Sequence, residues 1–174
     1  MTFLDMKNPI NCFGATDMGL KRSNNEDSFA VRPDLGLCIV SDGMGGAAAG
    51  ELASRIFTET VLEIFSNASG GSEKEIIEQV QRSFVLANDR ILKHVTEKPE
   101  HKGMGCTAEV LAFCSEGFVL GHMGDSRTYR FRNGQLKQLS NDHSLVQEQL
   151  DQGIITHAEA VSYTHLTLPT KRIV

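Results

Sequence analysis

Apolar and polar positions change period several times along the chain, and each change predicts an element. Leu37-Cys38-Ile39-Val40 is a continuous apolar run, the pattern of a strand buried on both faces. Ahead of it Ser28-Phe29-Ala30-Val31-Arg32 alternates with period two, and Pro33-Asp34-Leu35-Gly36 reads as a turn, so 28–41 is predicted to be a hairpin. From Ala47 to Phe65 the period becomes helical, with Leu52, Ile56, Val61, Ile64 and Phe65 on one stripe. A second helix opens at the capping box Ser72-Glu73-Lys74-Glu75 and carries Ile76, Val80, Ala87, Ile91 and Val95 on its apolar face. Strand periodicity returns over 107–113, 118–123, 128–132 and 135–139, with Asn133-Gly134 as the hairpin turn between the last two. A first short strand over 10–16 and a capped helix from Asp142, stopping at Gly153, complete the elements. Strands, two long helices, then more strands predict an α+β domain with helices stacked on antiparallel sheets.

The end of the chain breaks this consistency. Thr156-His157-Ala158-Glu159 opens another helix, but residues 161–174 are rich in β-branched side chains, contain Pro169 and show no helical stripe. A helix start without a body is a conflict between local levels. The expectation is one domain over 1–160 followed by an unrelated tail over 161–174.

Composition narrows the class. With 174 residues, 40% of them hydrophobic, the chain can bury one core. A net charge of −5 without a basic block argues against a nucleic-acid surface. No apolar run approaches membrane-spanning length, and the first residues lack the pattern of a secretion signal. Cys12, Cys38, Cys106 and Cys114 form no C-x-x-C pair and read as buried, reduced thiols of a cytoplasmic protein.

The chemistry centres on Ser41-Asp42-Gly43-Met44-Gly45-Gly46, where a carboxylate closes a core strand ahead of a glycine-rich turn. Such a carboxylate is costly unless it is paired or holds a metal; a helix cap is the plain alternative. The predicted hairpin would bring Glu26 and Asp27 beside Asp42. Mg²⁺ and Mn²⁺ take carboxylate, carbonyl and water oxygens, which Asp42, the Gly43 carbonyl and Asp27 can supply. Asp125, in the turn Gly124-Asp125-Ser126-Arg127, is a further candidate. Two such ions about 4 Å apart share and acidify a bridging water. Arg22, on the loop before Asp27, offers a guanidinium fork suited to two phosphate oxygens. Together these parts amount to a metal-dependent phosphomonoesterase. Taken singly each has an ordinary reading: Arg22 as a solvated loop cation, Glu26 as a solvent-facing acid, Asp125 as an Asx-turn residue. His143 reads as a structural hydrogen-bonder, and His94, His101 and His122 have no metal-ligand spacing. Ser126 lies in no nucleophile elbow, and the glycine run is no nucleotide-binding Walker motif.

Thr16-Asp17-Met18-Gly19, Arg22, Asn25-Glu26-Asp27, Asp42-Gly43-Met44-Gly45-Gly46, Gly103-Met104-Gly105-Cys106-Thr107, Gly124-Asp125-Ser126-Arg127 and Asp142-His143-Ser144 follow one another in a set order. In this the chain resembles the metal-dependent serine/threonine protein phosphatases of type 2C, in particular their bacterial branch. The resemblance runs from about Asn11 to Ala160. It implies a four-layer sandwich of two antiparallel β-sheets flanked by helices. It implies two Mg²⁺ or Mn²⁺ ions bridged by Asp42, one of them held by the Gly43 carbonyl, with Asp27 and Glu26 binding metal-coordinated water. Arg22 would grip the substrate phosphate, and Asp125 would serve a third, weaker metal. Phosphoserine and phosphothreonine proteins would be the substrates, with a cognate serine/threonine kinase as partner. The sequence departs from the pattern at Met44, where other members place a histidine, and at Cys106, where threonine is usual. The family's later aspartates and last strands would lie beyond Ala160, so the chain is expected to be a C-terminally truncated domain of reduced activity. The alternative readings are a phosphoprotein-binding module without catalysis and a phosphodiesterase or nucleotide hydrolase on the same site.

Overall fold

The computed structural model describes residues 10–45, 49–68, 71–115, 117–144, 147, 149, 152–154 and 156. The tail over 161–174, the helix start at 156–160 beyond Thr156, and Gly46 of the glycine turn lie outside the described residues. The chain divides into two units, Met1–His122 and Met123–Val174.

In the first unit the predicted hairpin forms from β1 (Asp27–Arg32) and β2 (Leu37–Met44), joined by a 3-10 turn at Pro33–Leu35 that Gly36 closes at φ 61°. After α1 (Ala49–Ser66) and α2 (Glu73–Glu97) come β3 (Gly105–Cys106), β4 (Ala108–Cys114) and β5 (Gly117–Met123), whose last residue opens the second unit. The sheet runs β1-β2-β4-β5, with β3 paired onto the end of β2. Leu37 and Ile39 of β2 and Val110 and Ala112 of β4 face one way and meet Phe57, Val61, Phe65, Ile76 and Val80 of the helices. Phe57 and Phe84 pack edge to face across the two helices, centroids 5.3 Å apart. The opposite face of β2 is more open, with Val40 50% exposed, so burial on both faces is corrected to one. In an antiparallel sheet the helices cover a single side and the strand alternates accordingly.

The capping box at the start of α2 forms in full. The Ser72 N–H donates to Glu75 Oε2 at 2.7 Å, and the Glu75 N–H donates to Ser72 Oγ at 3.4 Å. The Ser72 N–H and the Ser72 hydroxyl, both donating to the Glu75 carboxyl, hold it below its usual range. Ser72→Ala is expected to cost about 1 kcal/mol, read in a thermal melt as a fall of about 2–4 °C.

The strand expected over 10–16 is absent. A Cβ added to Gly14 would fall 2.4 Å from the Phe29 ring, so this segment crosses the side chains of β1 instead of pairing along its edge. Two-residue β3 was not anticipated, being too short to show a period. The four cysteines are free and half-buried, not fully buried; burial, with Cys12 alongside, pushes the Cys38 thiol up to about 11.

The second unit holds the hairpin of β6 (Tyr129–Arg132) and β7 (Gln135–Gln138). Asn133 (φ 52°) and Gly134 (φ 73°) form its tight turn as their sequence predicted. The capping segment predicted over 142–147 forms on Ser144, whose hydroxyl accepts the Gln147 N–H at 3.2 Å. Asp142 is engaged elsewhere, taking both arms of the Arg127 guanidinium at 2.8 and 2.7 Å. Gly153 (φ 69°) and the bond from Ile154 N–H to the Gln149 carbonyl make the expected helix stop. The fold class is α+β, as expected, and among the described residues no helix is long and apolar enough to cross a membrane.

Candidate active site

The β1–β2 register sets Asp27 directly opposite Asp42. Residues facing one another across an antiparallel pair share a side of the sheet, so the two carboxylates meet. Burial, and then the negative charge of Asp42, hold the Asp27 carboxyl above its usual range; the Thr16 hydroxyl and Arg22 pull it back only partly.

Backbone clamps fix the strand end. The Asp42 N–H donates to Thr107 Oγ1 at 2.9 Å, and the Asp42 carbonyl accepts the Thr107 N–H at 2.8 Å. The buried Ser41 hydroxyl donates to the Thr107 carbonyl at 2.7 Å. The Glu26 carbonyl accepts both the Gly43 N–H (3.0 Å) and the Ser54 hydroxyl (2.7 Å), tying the loop, the strand and α1 to one atom. Gly43 is pressed against the first turn of α1: an added Cβ would lie 2.0 Å from the Gly50 carbonyl oxygen and 2.6 Å from that of Glu26. Gly45, at φ 130°, sits on the backbone of Met104 in the same way.

The loop before β1 is ordered by its own side chains. Asp17 Oδ1 accepts the Gly19 N–H at 2.7 Å, and Asn25 Oδ1 accepts the Asp27 N–H at 3.0 Å. Asn25 also donates to Thr16, whose hydroxyl reaches Asp27. Arg22 stands 3.9 Å from Glu26, its side chain 40% exposed and that of Glu26 14%. The Glu26 carboxyl lies against Gly50 of α1 and is partly buried, unlike the solvent-facing acid of its ordinary reading.

Arg22, Glu26, Asp27, Asp42 and Gly43 therefore come together in the first unit. Asp125 belongs to the second, half-buried in a turn where Gly124 has φ 104° and its carbonyl accepts the His143 N–H at 2.7 Å. Among the described residues no group of three or more His, Cys, Asp or Glu side chains converges on a metal position. What is present is a carboxylate pair with a glycine carbonyl beside it, an all-oxygen set of the kind hard divalent cations take with water completing the shell. Burial and the Asp42 charge raise the cost of ionising Asp27, and a divalent cation held by the pair would offset that cost, so the donor set fits. Sequence reasoning missed the clamps Thr107, Ser54 and Gly50. Gly50 left a signal as a glycine inside a predicted helix, and Thr107 as the end of the 103–107 motif, though neither said what it would hold.

The model of one family, protein phosphatase 2C, matches residues 20–168. The chain is 36% identical over 153 residues to the serine/threonine protein phosphatase PstP of Mycobacterium tuberculosis, covering 88% of this chain and 29% of that protein. It is 32% identical over 161 residues to the protein phosphatase PhpP of Streptococcus pneumoniae, covering 91% of this chain and 65% of that one. The crystal structure of the PstP catalytic domain in complex with two manganese ions superposes with a TM-score of 0.73 at 36% identity, covering 83% of this chain and 60% of that one. The chain thus spans less than two thirds of these relatives. The order of motifs, the hairpin that joins Asp27 to Asp42 and the extent of the match agree: the chain belongs to the protein phosphatase 2C family.

Proposed function

We propose that this site hydrolyses phosphoserine and phosphothreonine monoesters in proteins with the help of Mg²⁺ or Mn²⁺. The observation that carries the reading is Asp27 facing Asp42 beside Arg22, in a family whose PstP member has been crystallised with two manganese ions. Asp42, the Gly43 carbonyl and Asp27 would hold the ions, with Glu26 steadying water at the shell. Divalent cations held there supply charge neutralisation and water acidified towards neutral pH. The chain's own groups do the positioning: Arg22 takes two phosphate oxygens, and the carboxylates orient the attacking water in line with the ester bond. Met44, 62% exposed on the same side of β2 as Asp42, carries no exchangeable proton, so the leaving alkoxide takes its proton from water. A third, weaker cation at Asp125, a cognate serine/threonine kinase among the substrates and a cytoplasmic location belong to the same reading.

The test is phosphate release from a phosphothreonine peptide in Mn²⁺, with Asp42→Asn as the blank. Release that tracks Mn²⁺ and vanishes in the blank supports the reading; release no greater than the blank overturns it. Arg22→Lys is expected to lower kcat/KM about 10- to 100-fold, the worth of one charge-assisted hydrogen bond, with Mn²⁺ affinity unchanged. An undiminished kcat/KM would remove Arg22 from the site.

A further inference from the structure

Away from the carboxylates, His94 Nε2 and His101 Nδ1 lie 2.8 Å apart, with ring planes inclined by 23° and centroids 5.1 Å apart. Rings that far apart bring two nitrogens so close only when they point head-on along the line of centres. This is one N–H donating to one lone pair, and the in-line arrangement leaves no shared direction for a metal ion.

The pair ties the last turn of α2 to the connection that leads into β3. Along that connection the His101 N–H donates to the Lys98 carbonyl, the Lys102 N–H to Pro99 and the Met104 N–H to His101. Met104 is buried beside Ala49 and Ala53 of α1, with Ile91 and Val95 of α2 packed around them. Gly45 rests on Met104, and β3 pairs Gly105 with Met44 and Cys106 with Gly43. Residues 101–106 therefore touch the glycine turn after Asp42 directly, at Gly45 and through the pairing of β3 with Gly43 and Met44.

We propose that the His94–His101 pair is a proton-sensitive positioning unit for the turn at Gly43–Gly45. A neutral or singly protonated pair keeps the N–H to lone-pair bond; a second proton sets N–H against N–H and opens it. The charged neighbours on α2 are Arg90, Lys93 and Glu97, with Lys98 at its C-cap. Arg90 is held by Glu63 at 2.7 Å, and Lys93 pairs with Glu97 at 3.9 Å. Glu100 and Lys102 flank His101, and on the facing turns of α1 stand Glu51 and Arg55, the latter 4.0 Å from Glu59. Among the described residues none of these forms an ion pair with either imidazole, so the second proton opens the pair.

The experiment is a nitrogen-15 NMR titration of the full chain from pH 8 to 5, beside His101→Gln, whose amide can donate and accept but does not titrate. In the wild type the coupling across the His94–His101 bond is expected to disappear on acidification. The amides of Gly45, Gly103, Met104 and Gly105 are expected to shift with the same midpoint. In His101→Gln that shift is lost, while changes from the site carboxylates persist in both. Amides that stay still in the wild type as the pair opens, or move equally in the variant, overturn the proposal; His94→Gln repeats the comparison should His101→Gln not fold. The unit acts on the turn whether or not the turn holds metal, so its failure and that of the hydrolase reading are distinguishable.

Discussion

Asp42→Asn is expected to abolish stabilisation by Mn²⁺ while raising the melting temperature of the metal-free chain. A cation at a hundred times its Kd adds about 2.7 kcal/mol to the folded state, or about 5–10 °C for a chain of this size. With asparagine the anionic partner is gone and that increment disappears. The metal-free gain has the opposite origin. Burial first, and Asp42 second, hold the Asp27 carboxyl above its ordinary value of 3.8. A carboxyl raised in the folded state weakens folding at every pH above its folded pKa, and the penalty fades as pH falls through that pKa towards 3.8. Removing the Asp42 charge relieves part of it, so the variant should melt higher at pH 7 without metal, and the difference should shrink on acidification. Asp27 is only half-buried, so the direction is the prediction. Thermal melts at pH 7 and pH 4.5, with and without Mn²⁺, decide the matter; a variant still stabilised by Mn²⁺ to the wild-type extent would sink the assignment.

Gly43→Ala should unfold the site outright. The added methyl would lie 2.0 Å from one backbone oxygen and 2.6 Å from another, neither of which can rotate away. The cost is about 4 kcal/mol or more, a fall in Tm of roughly 10 °C or greater. Gly117→Ala is the control: nothing lies within 4 Å of its added methyl, and its effect should stay within about 0.5 kcal/mol. A Gly43→Ala chain that melts with the wild type would show that α1 can retreat from the turn.

The hairpin was legible because a period-two run, a proline turn and a second apolar run leave one register, and that register makes Asp27 and Asp42 neighbours. The capping box at Ser72 and the glycine stop at 153 were legible because their chemistry is local. The rest depended on contacts far apart in sequence. Nothing near Thr107 announces that it will clamp Asp42, which follows only from β2 lying beside β4. Ser144 caps the helix as its S-x-x-Q spacing announces, whereas the bond of Asp142 to Arg127, fifteen residues back, could not be read locally. His94 and His101 stand seven apart across a proline, a spacing that signals nothing until the 3-10 turn at Pro99–His101 folds back.

The Asp27–Asp42 hairpin is closed by a short turn, so bringing its two acids together costs little chain entropy. As the polypeptide leaves the ribosome, both acids emerge before α1. Docking of α1 then covers the Gly43 side of the strand and leaves the carboxylate side open, so a divalent ion can join the pair after the fold has formed. Newly made chains in a cell depleted of Mg²⁺ and Mn²⁺ should therefore fold and take up the ion when it returns.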